Sequence, residues 1–217
     1  MKCTPKSSFF IILLPLFLLI APSIITAKSL DSELLPETIM VIISTSIGNI
    51  DVQLFTENAP LTTKNFLKYI DDKSYLNAEF FRVVRPDNDN GSPKISVIQA
   101  NITTKDELQA IKLETTETTG IKHLNGTLSM ARGAPNTATS SFFICINPQP
   151  SLDFGGERNP DNLGFAAFGR VVNGMDIVKK INTITKTKAS DDEYLEGQLL
   201  SSPIVIKNIY RKIKSTN

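Results

Sequence analysis

Hydrophobic and polar residues alternate in short runs along most of this chain, and turn-forming residues separate the runs. Runs of this length and pattern predict β-strands. Ser46, Ile47 and Gly48 separate the first two runs and are typical of a hairpin. We expect eight strands, over residues 39–44, 49–54, 79–84, 95–100, 127–131, 142–146, 166–172 and 203–212.

Two other segments carry apolar residues at helical spacing. The first covers residues 60–71 and begins with Pro60, whose missing N–H does no harm in the first turn of a helix. The second covers residues 174–183 and begins at Gly174. Many short strands with two helices predict a mainly β fold, a closed or nearly closed antiparallel barrel with the helices covering its ends. Closure would leave few strand edges unpaired.

The first 27 residues have the layout of a secretory signal peptide. Lys2 and Lys6 precede an almost wholly apolar run at 9–25, and no acidic residue occurs before Asp31. We expect cleavage after Ala27, a polar linker at 28–37 and a folded domain at 38–213. The alternative is an uncleaved membrane anchor, although the apolar run is short for a span and contains two prolines. After cleavage no membrane attachment is expected.

The composition limits the functions that this chain can have. Hydrophobic residues make up 41% of it, charged residues 21%, and the net charge is +1. The chain contains no dense basic block, so its composition does not support a nucleic-acid partner. Cleavage would leave Cys145 as a single cysteine in an apolar run, which predicts a buried structural thiol. His123 is the only histidine, so we expect neither a metal site nor a Ser–His–Asp arrangement.

Several segments together resemble the cyclophilin family, and their order and spacing carry the resemblance. They cover most of the chain from about residue 38 to 212. The matching segments are residues 49–54, 59–66, 80–84, 97–99, 126–132, 139–144 and 168–176. Residues 153–160 and 164–170 are similar to a loop and a strand of exported bacterial members. The resemblance implies a closed eight-stranded antiparallel barrel capped by two helices.

The resemblance also implies an activity, the cis/trans isomerisation of X–Pro peptide bonds in other proteins. This reaction needs no nucleophile, metal or cofactor, because no bond of the chain is broken. An enzyme accelerates it by binding the twisted amide better than the planar one. Twisting makes the prolyl nitrogen a better hydrogen-bond acceptor, and a fixed guanidinium is a suitable donor. By resemblance, Arg82 is that donor, and Gln99 hydrogen-bonds the substrate backbone and Arg82.

The other expected site residues bind substrate, and all follow from the resemblance. The family's proline pocket has apolar walls, and its substrate pairs with an extended stretch of backbone. Phe143, Val97 and Leu152 match the walls, and Ala131, Arg132 and Gly133 match the pairing stretch. Phe81, Ser141 and Phe165 stand at further substrate positions, where the family often carries histidine, glutamine and histidine.

One region departs from the family, between Arg82 and Gln99. The stretch at 85–94 is longer than the family's usual spacing, and Ser96 falls where a pocket phenylalanine is expected. One wall of the proline pocket is therefore missing or comes from elsewhere in the chain.

We interpret the chain as a monomeric periplasmic peptidyl-prolyl isomerase that assists the folding of exported proteins. The alternative is a proline-peptide binding or chaperone-like module with the same fold and little turnover. The cavity beside Arg82 distinguishes them. An open apolar cavity floored by Phe143 favours the enzyme, and one filled by residues 85–94 or by Phe81 favours the binding module.

Overall fold

The computed structural model describes Met1, residues 38–104 and residues 107–212. The predicted signal peptide beyond Met1 and the linker at 28–37 lie outside the described residues. The strands are β1 (Thr38–Thr45), β2 (Gly48–Phe55), β3 (Ala78–Val84), β4 (Val97–Asn101), β5 (Thr127–Met130), β6 (Phe142–Cys145), β7 (Ala166–Asn173) and β8 (Leu199–Arg211). The helices are α1 (Pro60–Asp71), α2 (Thr116–Thr119) and α3 (Met175–Asn182), with 3-10 turns at Pro150–Leu152 and Glu193–Leu195.

The eight strands close into a barrel in the order β1-β2-β7-β5-β6-β4-β3-β8. Every neighbouring pair is antiparallel, and β8 pairs with β1 to complete the ring. The predicted fold class is therefore confirmed. Strand bounds differ by a few residues: β4 begins at Val97 rather than at residue 95, and β8 begins at Leu199 rather than at residue 203.

The barrel interior is filled by alternate strand residues together with one face of α1 and of α3. Strand β1 alternates half-buried and buried positions along its whole length, as expected for a strand with one face on a core. From α1, Phe66 meets Phe142 of β6 edge to face, with ring centroids 5.3 Å apart. From α3, Val178 and Ile181 are fully buried in the same core.

Helix α1 is closed at its N-terminus by a residue from a distant loop. The Ala59 side chain offers no cap, so the first helical N–H groups need another acceptor. Glu114 supplies it, accepting from the Leu61 and Thr62 N–H groups at 3.0 and 2.8 Å. The short α2 was not predicted. It begins where Thr115 Oγ1 accepts from the Thr118 N–H and ends at Gly120, which has a φ of 73°.

The outer face of the barrel carries one continuous row of opposed residues across five strands. Ser129 lies opposite Phe143, Phe143 opposite Gln99, Gln99 opposite Arg82, and Arg82 opposite Leu199. Neighbouring strands lie about 4.8 Å apart, so the row is roughly 19 Å long. It brings residues that are distant in sequence to one side of the sheet.

Within residues 38–104 and 107–212, no helix combines the length and the apolar character that a membrane span requires. The apolar run at 9–25 lies outside these ranges.

Candidate active site

A cavity of about 440 Å³ lies over the outer row of strands β6, β4 and β3. Side chains from these strands form its floor, and several loops form its walls. The lining residues are Arg82, Val84, Ile95, Val97, Gln99, Ala131, Arg132, Gly133, Phe143, Leu152, Arg158, Asn159, Pro160, Phe165 and Tyr194. Of the residues expected at the site, all but Phe81 and Ser141 are therefore assembled around one cavity.

Arg82 is held rigidly in this cavity by two glutamine side chains. Its Nε and Nη2 donate to Gln198 Oε1 at 2.8 and 2.6 Å, and its Nη1 donates to Gln99 Oε1 at 3.1 Å. Gln198 is completely buried and is fixed in turn by its Nε2, which donates to the Asn88 carbonyl at 2.9 Å. The guanidinium is thus oriented before any substrate arrives.

The charge of Arg82 is not neutralised by an acid. Within the described part of the chain no carboxylate forms an ion pair with it, and its partners are the amide oxygens of Gln99 and Gln198. The Tyr194 ring covers it, with the guanidinium carbon 5.1 Å from the ring centroid. Burial lowers the pKa of Arg82, and hydrogen bonding and charge from Tyr194 oppose this shift. Arginine stays protonated at neutral pH, so a full cation faces the cavity.

Gln99 links Arg82 to Ser141. Its Nε2 donates to Ser141 Oγ at 3.0 Å, and Ser141 Oγ donates to the Ala100 carbonyl at 3.0 Å. This chain of hydrogen bonds fixes which end of the Gln99 amide faces Arg82. Ser141 does not line the cavity itself. We therefore describe it as a positioning residue for Gln99 rather than as a wall of the cavity.

The apolar part of the cavity is a small second core outside the barrel. Phe143 and Leu152 are almost fully buried in it, and the other buried members are Val97, Ile95, Val84 and Cys145. Phe165 meets Phe143 edge to face at 5.4 Å between ring centroids. Phe142, the neighbour of Phe143, points into the barrel instead, because successive strand residues face opposite sides.

The side chain of Arg132 makes its contacts within the protein. Its guanidinium donates to the Gly164 carbonyl at 2.9 and 2.6 Å and to both oxygens of Asp161 at 2.7 and 2.8 Å. It also lies 5.3 Å from the Phe165 ring centroid. The side chain is therefore engaged within the protein and holds the wall that carries Phe165. What it leaves for substrate is the backbone of residues 131–133.

That backbone is already partly used. The Ala131 N–H donates to the Ser141 carbonyl at 2.9 Å, and the Gly133 N–H donates to Thr137 Oγ1 at 3.2 Å. The Arg132 N–H lies between them. Pairing with an extended substrate would therefore involve Arg132 rather than its two neighbours as the backbone donor.

Phe81 does not reach the cavity. It lies on another part of the surface, beside Glu79, Asn101 and Ile102. The reason is a β-bulge: Phe80 lies opposite Ala100 and Arg82 opposite Gln99, so Phe81 is an extra residue on β3. A bulge re-aims side chains, and here it turns Arg82 toward the cavity and Phe81 away from it.

A Ser–His–Asp chain stands behind Phe143, contrary to the expectation from the single histidine. His123 Nδ1 lies 2.8 Å from Asp153 Oδ1, and its Nε2 lies 2.9 Å from Ser129 Oγ. Ser129 is completely buried, so no substrate reaches its hydroxyl. The His123 ring stacks on Phe143 at 6.1 Å between centroids. The triad supports the floor of the cavity and is not a nucleophilic centre.

The long loop at 85–94 does not fill the cavity and instead holds Arg158, one of the lining residues. Asp89 is buried and accepts from Arg158 at 2.8 Å through each oxygen, and also from the Gly91 and Ile95 N–H groups. Burial alone would raise the pKa of Asp89, but the Arg158 hydrogen bonds and the two backbone N–H groups outweigh it and lower the pKa. Asn90 Nδ2 donates to carbonyls at 193, 194 and 196.

The wall that the sequence leaves open at Ser96 comes from two other residues. Ser96 does not line the cavity, and its carbonyl accepts from the Ile146 N–H at 2.9 Å. Ile95 lines the cavity instead, and Tyr194, from the loop before β8, is a second lining residue. The signal that could have indicated Tyr194 is an aromatic residue in an otherwise acidic loop, since loops often carry binding residues. Gln198 has no such signal.

Comparisons with known proteins agree with this geometry. Residues 40–209 match the family described as cyclophilin type peptidyl-prolyl cis-trans isomerase/CLD. A peptidyl-prolyl cis-trans isomerase of Acinetobacter baylyi is 32% identical over 148 residues, which are 67% of this chain and 72% of that protein. Peptidyl-prolyl cis-trans isomerase B of Escherichia coli is 36% identical over 146 residues, 67% of this chain and 85% of that protein.

Solved structures show the same fold. The crystal structure of a Cryptosporidium parvum cyclophilin type peptidyl-prolyl cis-trans isomerase has a TM-score of 0.61 and 22% identity, and covers 82% of this chain and 99% of its own. A second structure of that protein, in the presence of the dipeptide Ala-Pro, has a TM-score of 0.60 and 23% identity. The match covers 81% of this chain and 99% of that chain. With the family matched over residues 40–209 and bacterial relatives at 32% and 36% identity, this chain belongs to the cyclophilin-type peptidyl-prolyl cis-trans isomerases, and isomerisation of prolyl peptide bonds is the activity that this membership supports.

Proposed function

We propose that this chain isomerises X–Pro bonds in exported proteins and that Arg82 is its catalytic residue. The observation that carries the proposal is the setting of Arg82. Its guanidinium is fixed by Gln99 and Gln198, has no acidic partner in the described residues, and faces a cavity walled by Phe143. A substrate proline held against Phe143 would place its amide beside this donor.

The physical argument rests on where charge changes during the rotation. The barrier to rotation about the peptide bond is about 18–20 kcal/mol, because the amide loses its resonance at the twisted geometry. The twisted nitrogen regains a lone pair, and Arg82 can donate to it. A donor that is already oriented stabilises this state without reorganisation, which lowers the barrier. The reaction therefore needs only a hydrogen-bond donor and a dry pocket.

The cavity supports the enzyme over a binding module with little turnover. Val84 and Ile95 flank the loop at 85–94 and line the cavity, but the loop itself does not occupy it. Phe81 lies outside it. The space beside Arg82 is therefore open to a proline ring, which is the arrangement we expected of the enzyme.

Removal of Arg82 tests the proposal. We expect Arg82→Ala to lower kcat/KM for a short X–Pro peptide by about 30- to 1,000-fold, the effect of roughly 2–4 kcal/mol of lost transition-state stabilisation. Arg82→Lys should recover little of the lost activity, because the lysine ammonium lacks the planar set of N–H donors with which Arg82 bonds both glutamine side chains. Arg170→Ala is the matched control, because Arg170 is an exposed strand arginine bonded to Gln53. Near wild-type turnover of Arg82→Ala would remove Arg82 from the mechanism and favour the binding module.

The site of action that we propose is the periplasm. The support for export is the signal-like pattern of residues 1–27. N-terminal sequencing of the protein from fractionated bacterial cells tests the location. We expect a mature N-terminus near residue 28 in the periplasmic fraction. An intact N-terminus in the membrane fraction would contradict cleavage and favour the uncleaved membrane anchor.

A further inference from the structure

We propose that Asn159 and Tyr194 form a substrate subsite beside Arg82 that binds an apolar or aromatic residue next to the substrate proline. The inference deepens the proposed function and rests on it, because it concerns the same cavity. Both residues line that cavity, and neither was expected at the site. Both come from loops rather than from the barrel strands, at 153–165 and at 190–198.

The first observation is an unused hydrogen-bond donor. Among the described residues, Asn159 Nδ2 is the one buried side-chain nitrogen or oxygen without a hydrogen-bond partner. Burying an amide N–H without a partner costs free energy, and folded proteins rarely retain such a group without a reason. Asn159 is also one of the residues that line the cavity. The backbone carbonyl of an extended peptide is a suitable acceptor for this donor.

The second observation is the position and surroundings of Tyr194. Its ring lies 5.1 Å from the Arg82 guanidinium and 5.5 Å from that of Arg158, and its hydroxyl accepts from Arg158 Nη2 at 2.7 Å. The residue is nevertheless 43% exposed, so part of the ring remains available. Because its polar end is bound to the protein, the available part is apolar. A Tyr ring fixed in this way is a suitable contact for an aromatic or aliphatic side chain.

The third observation is where the subsite lies along the outer row. Residues 131–133 follow β5, at one end of the row, and Gln198 and Tyr194 precede β8, at the other end. Phe143 and Arg82 stand between these ends. A peptide whose proline lies over Phe143 would therefore extend toward Arg132 on one side and toward Tyr194 on the other. The subsite holds a residue on the second side.

Charge limits what this subsite accepts. Arg158 is paired with Asp89, and Arg132 is paired with Asp161, but Arg82 has no acidic partner in the described chain. The acids of the Tyr194 loop, at 191–193 and 196, are exposed and do not line the cavity, so Arg82 is the unpaired charge that lines it beside Tyr194. A lysine or arginine beside the proline would be repelled by Arg82, and an apolar or aromatic residue would not be. The subsite thus selects by favourable packing and by repulsion of cations.

Binding measurements on two peptide series test the inference. One series is Ala-Ala-Pro-X and the other is Ala-X-Pro-Ala, with X as Phe, Leu, Ala or Lys, and Kd is measured by calorimetry or NMR titration. We expect wild type to prefer Phe over Lys by about 3- to 10-fold in one of the series. Tyr194→Ala should remove that preference, and Tyr194→Phe should keep it. Tyr210→Ala is the matched control, because Tyr210 is a comparably exposed tyrosine on β8.

A second variant tests the unused donor separately. Asn159→Ala should weaken every peptide by about 3- to 10-fold irrespective of X. It should not lower the Tm, because the substitution removes a buried group that has no partner in the free protein. A fall in Tm with unchanged peptide affinity would show that Asn159 is only structural and would overturn its part in the subsite.

The outcomes separate this inference from the proposed function. Binding with a Tyr194-dependent preference but without faster isomerisation would keep the subsite and overturn the isomerase. Isomerisation by wild type with no preference for X in either series would overturn the subsite alone. A Tyr194→Ala protein that weakens all peptides equally would also overturn it, because Tyr194 would then act only by holding Arg82 in place.

Discussion

Phe143 occupies two environments at once. On one side it is a floor residue of the cavity, and on the other it packs against Phe165 edge to face and against the His123 ring. Only 4% of it is exposed, so its surface is almost wholly used by the protein. It therefore contributes to stability and, under the proposed function, would also bind substrate, whereas Arg82 would contribute mainly to the reaction.

Phe143→Ala should lower both activity and stability. We expect a loss of about 2–4 kcal/mol in the free energy of unfolding, near the lower end for buried Phe→Ala because the new space opens into a cavity. We also expect a higher KM for proline peptides, because the ring no longer contacts the proline. Urea unfolding and steady-state kinetics measure the two effects. Phe154→Ala, which removes an exposed ring, is the control, and an unchanged KM in Phe143→Ala would exclude Phe143 from the site.

His123 makes the stability of the protein depend on pH. Burial lowers its pKa, although its hydrogen bond to Asp153 and the charge of that residue act in the opposite direction. The folded state therefore resists a proton that the unfolded chain binds below about pH 6.5. The contribution of neutral His123 to the free energy of unfolding is fully present above that pH and is lost as the pH falls below it.

We expect the free energy of unfolding of wild type to fall between about pH 6.5 and pH 5, and that of His123→Asn to change less over this interval. Urea titrations at several pH values provide the measurement. Asparagine keeps a polar group beside Asp153 and Ser129 but does not titrate. The same slope in both proteins would mean that another group is responsible.

At the scale of elements, three loops on one side of the barrel are joined by one buried ion pair. Arg158, from the loop before β7, binds Asp89, from the loop between β3 and β4. The Arg158 Nη2 also donates to Tyr194, from the loop before β8. Gly91 allows this close packing, since a Cβ there would lie 2.5 Å from the guanidinium. The cavity wall beyond Arg82 is therefore one connected unit.

Arg158→Met should lower the free energy of unfolding by about 3–5 kcal/mol, because it leaves the buried carboxylate of Asp89 without its cation. The double variant Asp89→Leu/Arg158→Met should recover most of that loss, since neither charge then remains buried. Denaturant unfolding of the single and double variants measures this. A double variant as unstable as the single one would mean that shape rather than charge holds the loops together.

The Asp89–Arg158 pair also makes the stability of the protein depend on pH in acid. The pKa of Asp89 is lowered in the folded state, so its contribution is present above the unfolded value of about 4 and is lost as the pH falls further. The double variant lacks this group. Its stability should therefore decrease less than that of wild type below about pH 4.

At the scale of the whole molecule, the described domain is held together without a disulfide bond. Cys145 is its free cysteine, is completely buried, and lies in the second core under the cavity. Burial raises the pKa of this thiol, so little thiolate forms at neutral pH. No internal disulfide is formed among the described residues.

Cys145 should therefore react with a thiol reagent only when the barrel opens. In the full chain with Cys3→Ser, we expect labelling at pH 8 to be slow and to accelerate with urea in parallel with global unfolding. Labelling followed by mass spectrometry, compared with the unfolding curve, measures this. Fast labelling without denaturant would show that the second core opens independently of the barrel. Addition of a reducing agent should leave the Tm unchanged.

The strands, α1 and α3 were predictable because their signals are local. Alternation of period two and helical spacing are visible within a few residues, as in β1 and in Pro60–Asp71. The family resemblance also indicated Arg82, Gln99 and Phe143 from the amino-acid sequence, since these residues lie in recognisable segments. The order of the strands was not visible in this way, because which strands pair depends on contacts far apart in the chain.

The sequence by itself determined the strands, α1, α3 and the mainly β class, because each depends on residues close together, and its resemblance to the family indicated the candidate arginine. Only the tertiary structure decided where long-range contacts place side chains. The bulge at Phe81 turned one expected residue away, the ion pair with Asp161 engaged the side chain of Arg132, and the His123 triad appeared from residues 123, 129 and 153. Gln198 and Tyr194 reached Arg82 from more than a hundred residues away, and only closure of the barrel, with β8 beside β3, brings them there.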